Sequence, residues 1–315
     1  MPLRSSLLES AVVVTGATSG IGAATALLLA ERGARLVLAA RDERALDTMA
    51  DACRRRGGDA VGVLADTADT AAVTAIAEAA EDAYGRLDAW VQSAGVAYYG
   101  HLADMPAEHA RRLLDVNVLG YLYAAQTAVR HMRRDGGVIV MIGSGLSEMC
   151  MPYLGLYNAS KHAVAALGST LRQELGLDGP HAISVCTLMP AAVDTPLFDR
   201  AANHSGKPAR PPGPPVGAWR AARRVVRLVT HPRRRAHVGV AGAAAGLASR
   251  AAPLLTERAL ALWGRFAVLD ASESTPVTDG NLFEPDGHEV RVTGEHRQED
   301  PSRHTGSAPW PTPVT

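Results

Sequence analysis

The chain has 315 residues, 47% of them hydrophobic, enough for a substantial core in one large domain or two smaller ones. Lys plus Arg and Asp plus Glu both number 32, so the formal net charge is zero and nothing in the overall charge argues for a nucleic-acid partner. Three widely spaced cysteines (Cys53, Cys150, Cys186) suit neither a disulfide framework nor a metal site and fit a reducing cytoplasm, and neither a signal-peptide pattern nor a bilayer-spanning apolar run is present.

The first apolar run, AVVVTG from Ala11, leads directly into TGATSGIG, Thr15 to Gly22. This reads as a buried strand, a glycine-rich turn and a helix that stops at Gly33. Glycines at 16, 20 and 22 allow a tight turn and let the backbone approach a pyrophosphate at the helix N-terminus. The spacing is G-x-x-x-G-x-G rather than G-x-G-x-x-G, but its place between strand and helix is the context that supports dinucleotide binding.

The second run, ARLVLAA, is followed by Arg41 and Asp42. An acid about 20 residues past the glycines binds the 2′-hydroxyl of NAD, whereas an arginine there accommodates the 2′-phosphate of NADP. In the preferred register Ala40 takes the acid's place, Arg41 follows, and Asp42 caps the next helix, making NADP(H) the first choice. A slipped register would make Asp42 the ribose acid and NAD(H) the cofactor.

Further strand runs are DAVGVLAD, DAWVQSAG, GVIVMIGS, AISVCTLMP and, last, AHVGVAG, with helical segments between them. Apolar runs buried on both faces and alternating with helices predict an α/β fold, a doubly wound parallel sheet of about seven strands with helices on both faces. After the fifth run, LYNASK places Tyr157 and Lys161 four apart, on one face of a helix. A nearby cation favours the phenolate, so the pair is either a tuned acid/base or a packed tyrosine beside a solvated lysine. Beyond Pro196, GKPARPPGPP reads as a loop, an Arg-studded helix follows, and an Ala/Leu-rich helical stretch is split by Pro253. From Ala271 few apolar residues remain, and residues 271–315 read as a weakly ordered tail whose removal should leave the cofactor site intact.

TGATSGIG with YNASK downstream resembles the short-chain dehydrogenase/reductase family, which carries T-G-x-x-x-G-x-G and Y-x-x-x-K. Its serine thirteen residues before the tyrosine is matched by Ser144, its asparagine by Asn117 in VNVLG, and its adenine-contacting aspartate by Asp66. Its N-N-A-G appears as Gln92 to Gly95 with both asparagines replaced, and its P-G as Pro190-Ala191, while Thr195 is kept. The resemblance covers residues 11 to about 200 and implies a single Rossmann-type domain over residues 1–270. In it, residues 196–235 form a Pro-rich lid and helix, and 243–270 form C-terminal helices.

The resemblance implies that Tyr157 is the general acid/base, that Lys161 lowers its pKa and binds the nicotinamide ribose, that Ser144 donates to the developing alkoxide, and that Asn117 holds a water relay. It implies cofactor contacts at Gly16, Thr18, Ser19, Gly20, Ile21, Gly22, Arg41, Asp66, Ala94, Gly95, Asn117, Tyr157, Lys161, Pro190, Val193 and Thr195. The expected activity is NADP(H)-dependent interconversion of a hydrophobic ketone or aldehyde and a secondary alcohol, with Leu146, Met149, Cys150, Met151 and Tyr153 as an apolar wall. The competing readings are an NAD-dependent alcohol dehydrogenase and a non-catalytic dinucleotide sensor or scaffold. A cytoplasmic homodimer or homotetramer without metal is expected. Membrane contact is not, since aromatic content is 4% and no clear apolar face is legible.

Overall fold

The computed structural model describes residues 7–177, 182–270 and 272–294. Seven apolar runs form one parallel sheet: β1 (Ala11–Thr15), β2 (Arg35–Ala40), β3 (Asp59–Leu64), β4 (Ala89–Gln92), β5 (Gly137–Ile142), β6 (Ile183–Pro190) and β7 (Arg235–Val238). Their order is β7-β6-β5-β4-β1-β2-β3. The chain winds outward from β1 to β3, then returns to β4 on the other side of β1. The reversal opens a crevice at the carboxyl ends of β1 and β4, where ligands bind in such sheets.

Among the described residues, nine α-helices of eight residues or more accompany the sheet: α1 (Gly20–Ala30), α2 (Glu43–Arg55), α3 (Thr70–Tyr84), α4 (Ala107–Leu114), α5 (Gly120–Met132), α6 (Gly155–Leu177), α7 (Ala218–Thr230), α8 (Val240–Ala251) and α9 (Pro253–Ala267). Alternate side chains of a strand point to opposite faces. Val12 and Val14 therefore pack with α1, α2 and α7, while Val13 joins Trp90 and residues of α3, α5 and α6. β1 is buried throughout, as the sequence predicts. β3 is not: it is the sheet edge, and Leu64 is 59% exposed.

Two short parallel ladders pin the lid, Tyr98–Tyr99 with Ala202–Asn203 and Val193–Asp194 with Val216–Gly217. Proline fits the first turn of a helix, and α9 starts at Pro253. Leu254, Leu255, Leu262 and Phe266 of α9 are exposed, an apolar face that the sequence reading did not find. Among the described residues no helix is long and apolar enough to cross a membrane.

The segment expected to be weakly ordered is instead docked over residues 272–294. Leu282 is fully buried, Thr278 and Asn203 exchange backbone hydrogen bonds at 2.7 and 3.0 Å, and Gly20 N donates to the Arg291 carbonyl at 2.8 Å. Residues 295–315 of that tail lie outside the described residues.

Candidate active site

The glycine-rich turn closes at the end of β1. Gly16 has φ +61°, and a Cβ on Gly22 would lie 2.1 Å from the Gly16 carbonyl oxygen, so the turn admits no side chain there. Ser19 precedes α1 in an extended conformation without a side-chain cap. The start of α1 is therefore an anion-binding end of the kind a pyrophosphate uses, with Gly20 N already held by Arg291. Behind the turn, Thr15 Oγ1 donates to Gln92 Oε1 at 3.0 Å and accepts from Ser93 N and Ala94 N at 3.1 and 3.2 Å. Gln92 also accepts from Trp90 Nε1 at 3.0 Å, which shows how glutamine fills the place of the family's first asparagine.

A cavity of about 530 Å³ runs from this turn along the carboxyl ends of the strands. It is lined by Gly16, Thr18, Ser19, Gly20 and Ile21 of the turn, Arg41 and Asp66, Ala94 and Gly95, Ser144, Tyr157, Lys161, Pro190, Val193 and Thr195. Of the residues expected to bind the cofactor or act in catalysis, Gly22 and Asn117 are not on its wall.

Tyr157 and Lys161 both lie on α6. Lys161 Nζ donates to the Ile142 carbonyl at 3.1 Å and is 5.1 and 5.7 Å from the ring centroids of Tyr121 and Tyr157. Burial pulls the ammonium down to about 8. Burial also pushes the Tyr157 phenol up to about 12, with a hydrogen bond to Ser144 drawing it partly back. The phenol therefore lies above its ordinary value, not below it as the cationic neighbour led us to expect, because desolvation dominates. Ser144 Oγ accepts from Leu146 N at 3.1 Å, and Ser144 N donates to Ser147 Oγ at 3.1 Å, which fixes the turn after β5.

Asn117 occupies a π-helical turn, Asp115–Leu119, between α4 and α5. Its amide is committed to structure: Oδ1 accepts from Val96 N at 2.9 Å, and Nδ2 donates to Val96 O at 2.8 Å and Ser160 Oγ at 3.2 Å. Such widened turns cluster at functional sites.

At the adenosine end, β2 ends at Ala40 and Asp42 caps α2, accepting from Ala45 N at 2.7 Å. The Asp42 cap is as the sequence predicts. Arg41 donates to the carbonyls of Asn281 at 2.6 Å and Phe283 at 2.9 Å. Asp42 pairs with His288, and Asp66 accepts from Ala68 N at 2.9 Å and pairs with Arg112. Asp286 and Glu289 line the same end of the cavity. The tail is therefore a wall of the cofactor cleft.

On the substrate side, Leu146, Met149 and Met151 line the cavity with Leu154, Leu197, Phe198, Leu260 and Trp263. Two expected residues do not. Cys150 is exposed, and Tyr153, at φ +66°, packs its ring against His101 at 5.2 Å. Tyr99 went unnoticed in the sequence. It is fully buried on the cavity wall, and its hydroxyl has no hydrogen-bond partner among the described residues. The tyrosine pair directly after the fourth strand was the available signal.

The family model for short chain dehydrogenase matches residues 10–205. The chain belongs to the short-chain dehydrogenase family. It is similar to an uncharacterized oxidoreductase, YxnA, of Bacillus subtilis, 32% identical over 80% of this chain and 71% of that one. The versicolorin reductase stcU of Emericella nidulans is 34% identical over 59% of this chain and 70% of its own. Among solved structures, a short-chain dehydrogenase/reductase from Burkholderia phymatum in complex with NAD matches with a TM-score of 0.71 and 29% identity, covering 78% of this chain and 94% of that one. One from Burkholderia cenocepacia in complex with NADP matches at 0.64 and 28%, covering 74% and 98%. This short-chain dehydrogenase is an oxidoreductase that uses a nicotinamide dinucleotide, and the tight turn, which excludes a side chain at Gly22, and the start of α1, which has no side-chain cap from Ser19, fit that group.

Proposed function

We propose that this short-chain dehydrogenase interconverts an apolar ketone or aldehyde and a secondary alcohol, using NADP(H). The observation that carries the reading is the convergence of Ser144, Tyr157 and Lys161 on one wall of a cavity that joins the glycine turn to an apolar pocket. A nicotinamide bound there supplies or accepts the hydride. In reduction, Tyr157 gives its proton to the carbonyl oxygen, and its raised pKa keeps that proton available at neutral pH. Ser144 donates to the oxygen as negative charge develops. Lys161 remains charged below about pH 8 and stabilises the phenolate left behind. Leu146, Met149 and Met151 favour an apolar substrate body over a charged one.

NADP(H) is supported by Arg41 directly after β2, with Asp42 spent on the helix cap. The alternative, NAD(H), draws on a specific observation: Arg41 is engaged by tail carbonyls, and Asp66 and Glu284 place negative charge near it. Self-association belongs to the same reading, and the exposed apolar face of α9 supports it.

The test is a panel of apolar and polar ketones and alcohols followed by NADPH and NADH absorbance, with Tyr157→Phe as control. The expected result is turnover of apolar carbonyls, a Tyr157→Phe rate lower by about 10²–10⁴-fold, and nearly unchanged cofactor affinity. Activity of that variant within a few-fold of the parent would remove Tyr157 from the chemistry.

A further inference from the structure

Three side chains from distant segments meet beside the cofactor cleft: His109 on α4, His204 in the lid and Asp279 in the docked tail. His109 Nε2 and His204 Nε2 lie 2.8 and 3.0 Å from the same Asp279 Oδ1, and the donor atoms all fall within 4.8 Å of one another. The rings are held in place. Tyr98 packs on both imidazoles, with centroids at 5.9 and 5.3 Å, and Phe283 stands edge-on to His109 at 5.1 Å.

Hydrogen bonding alone accounts for this trio incompletely. It aims two imidazoles at one carboxylate oxygen and leaves the Nδ1 of His109, a residue 5% exposed, without a hydrogen-bond partner among the described residues. The Glu108 carboxylate is 3.9 Å from that Nδ1. Imidazoles that bind a metal through Nε2 present Nδ1–H to just such a carboxylate.

We propose that His109, His204 and Asp279 bind a divalent cation of the zinc class, and that its binding clamps the tail over the cofactor cleft. Two neutral imidazole nitrogens and one carboxylate oxygen form the donor set of a zinc site with one open position. Zinc–ligand bonds of roughly 2.0–2.2 Å in tetrahedral geometry separate donor atoms by about 3.3–3.6 Å. The two imidazole–carboxylate distances are within about half an ångström of that, and a small movement of the lid brings His204 in. Asp279 is exposed, so the site opens to solvent. Two residues on, the Asn281 carbonyl holds Arg41, so fixing Asp279 fixes the wall of the adenosine end. The inference is independent of the proposed reaction and concerns retention of the dinucleotide.

The full chain, stripped with chelator, is titrated with Zn²⁺ by calorimetry and with Co²⁺ by visible d–d absorption. NADPH and NADH release is then followed by fluorescence with and without Zn²⁺. The expected result is one ion per chain, affinity reduced more than about tenfold in both His204→Ala and Asp279→Ala, and release slowed by Zn²⁺ in the parent but not in Asp279→Ala. Both variants alter side chains at least partly open to solvent, and circular dichroism verifies their fold. Failure of the parent to take up Zn²⁺ at micromolar concentration overturns the site, as does uptake that both variants retain. Uptake at the site with unchanged dinucleotide release overturns the clamp.

Discussion

Lys161→Met should make the fold more stable while ending turnover. Lys161 is 4% exposed, and no carboxylate lies within ion-pair distance of it among the described residues. Its pKa falls from the ordinary 10.5 to about 8 because burial penalises the ammonium. At about 1.36 kcal/mol per pH unit, the folded protein carries roughly 3 kcal/mol of cost at pH 7 for keeping that charge. The folded pKa lies below the unfolded one, so the unfolded chain holds more protons between about pH 8 and 10.5, and stability rises with pH through that window. Methionine fills similar space without charge, and the Ile142 carbonyl keeps its bond from Tyr121 Oη at 2.8 Å, so no acceptor is orphaned. Urea unfolding should therefore show the Met variant ahead by about 3 kcal/mol near pH 7 and by about 1.4 kcal/mol near pH 9.5. A Met variant less stable than the parent at neutral pH, or an offset that ignores pH, would refute the reasoning.

Arg41→Ala should weaken NADPH by roughly ten- to a hundredfold, the equivalent of about 1.5–3 kcal/mol of charge-assisted hydrogen bonding, and leave NADH almost unchanged. Titration of both dinucleotides decides it, and equal weakening of the two would count against a 2′-phosphate contact. Truncation after Asp270 should speed both uptake and release of the dinucleotide and lower the Tm, since Leu282 and the backbone pairs at Thr278 and Arg291 are lost. Stopped-flow fluorescence and thermal melts measure this, and rates equal to those of the full chain would show that the tail is no barrier.

The sheet was legible because its strands are short, apolar and bounded by breakers, and the glycine turn because its backbone demands are written in residue type. Ser144, Tyr157 and Lys161 were legible for the same reason, each placed by the element that carries it. Less was visible where backbone groups do the holding. Arg41 is gripped by three successive residues' carbonyls, and any residue types at 281–283 would supply those. The tail's docking therefore leaves no periodicity and, among the described residues, two buried apolar anchors, Leu282 and Val290. Tyr153 was misplaced because a left-handed backbone turned its ring away from the wall that its neighbours suggested. Asn117 was found at its position, but its amide is spent bracing Val96.

The bond between Gly20 and Arg291 joins nearly the first residues of the body to nearly the last of the described chain. A polypeptide is made from its N-terminus, and domains begin to fold as they emerge. Every strand of the sheet is polymerised before Thr278, so the newborn protein passes through a stage in which the cleft has a floor and no outer wall. A dinucleotide meeting the chain at that stage enters an open groove. One meeting the finished chain has to part contacts that bridge some 270 positions of sequence, the slowest kind to re-form. Loading during synthesis and exchange afterwards are thereby separate kinetic problems in this protein.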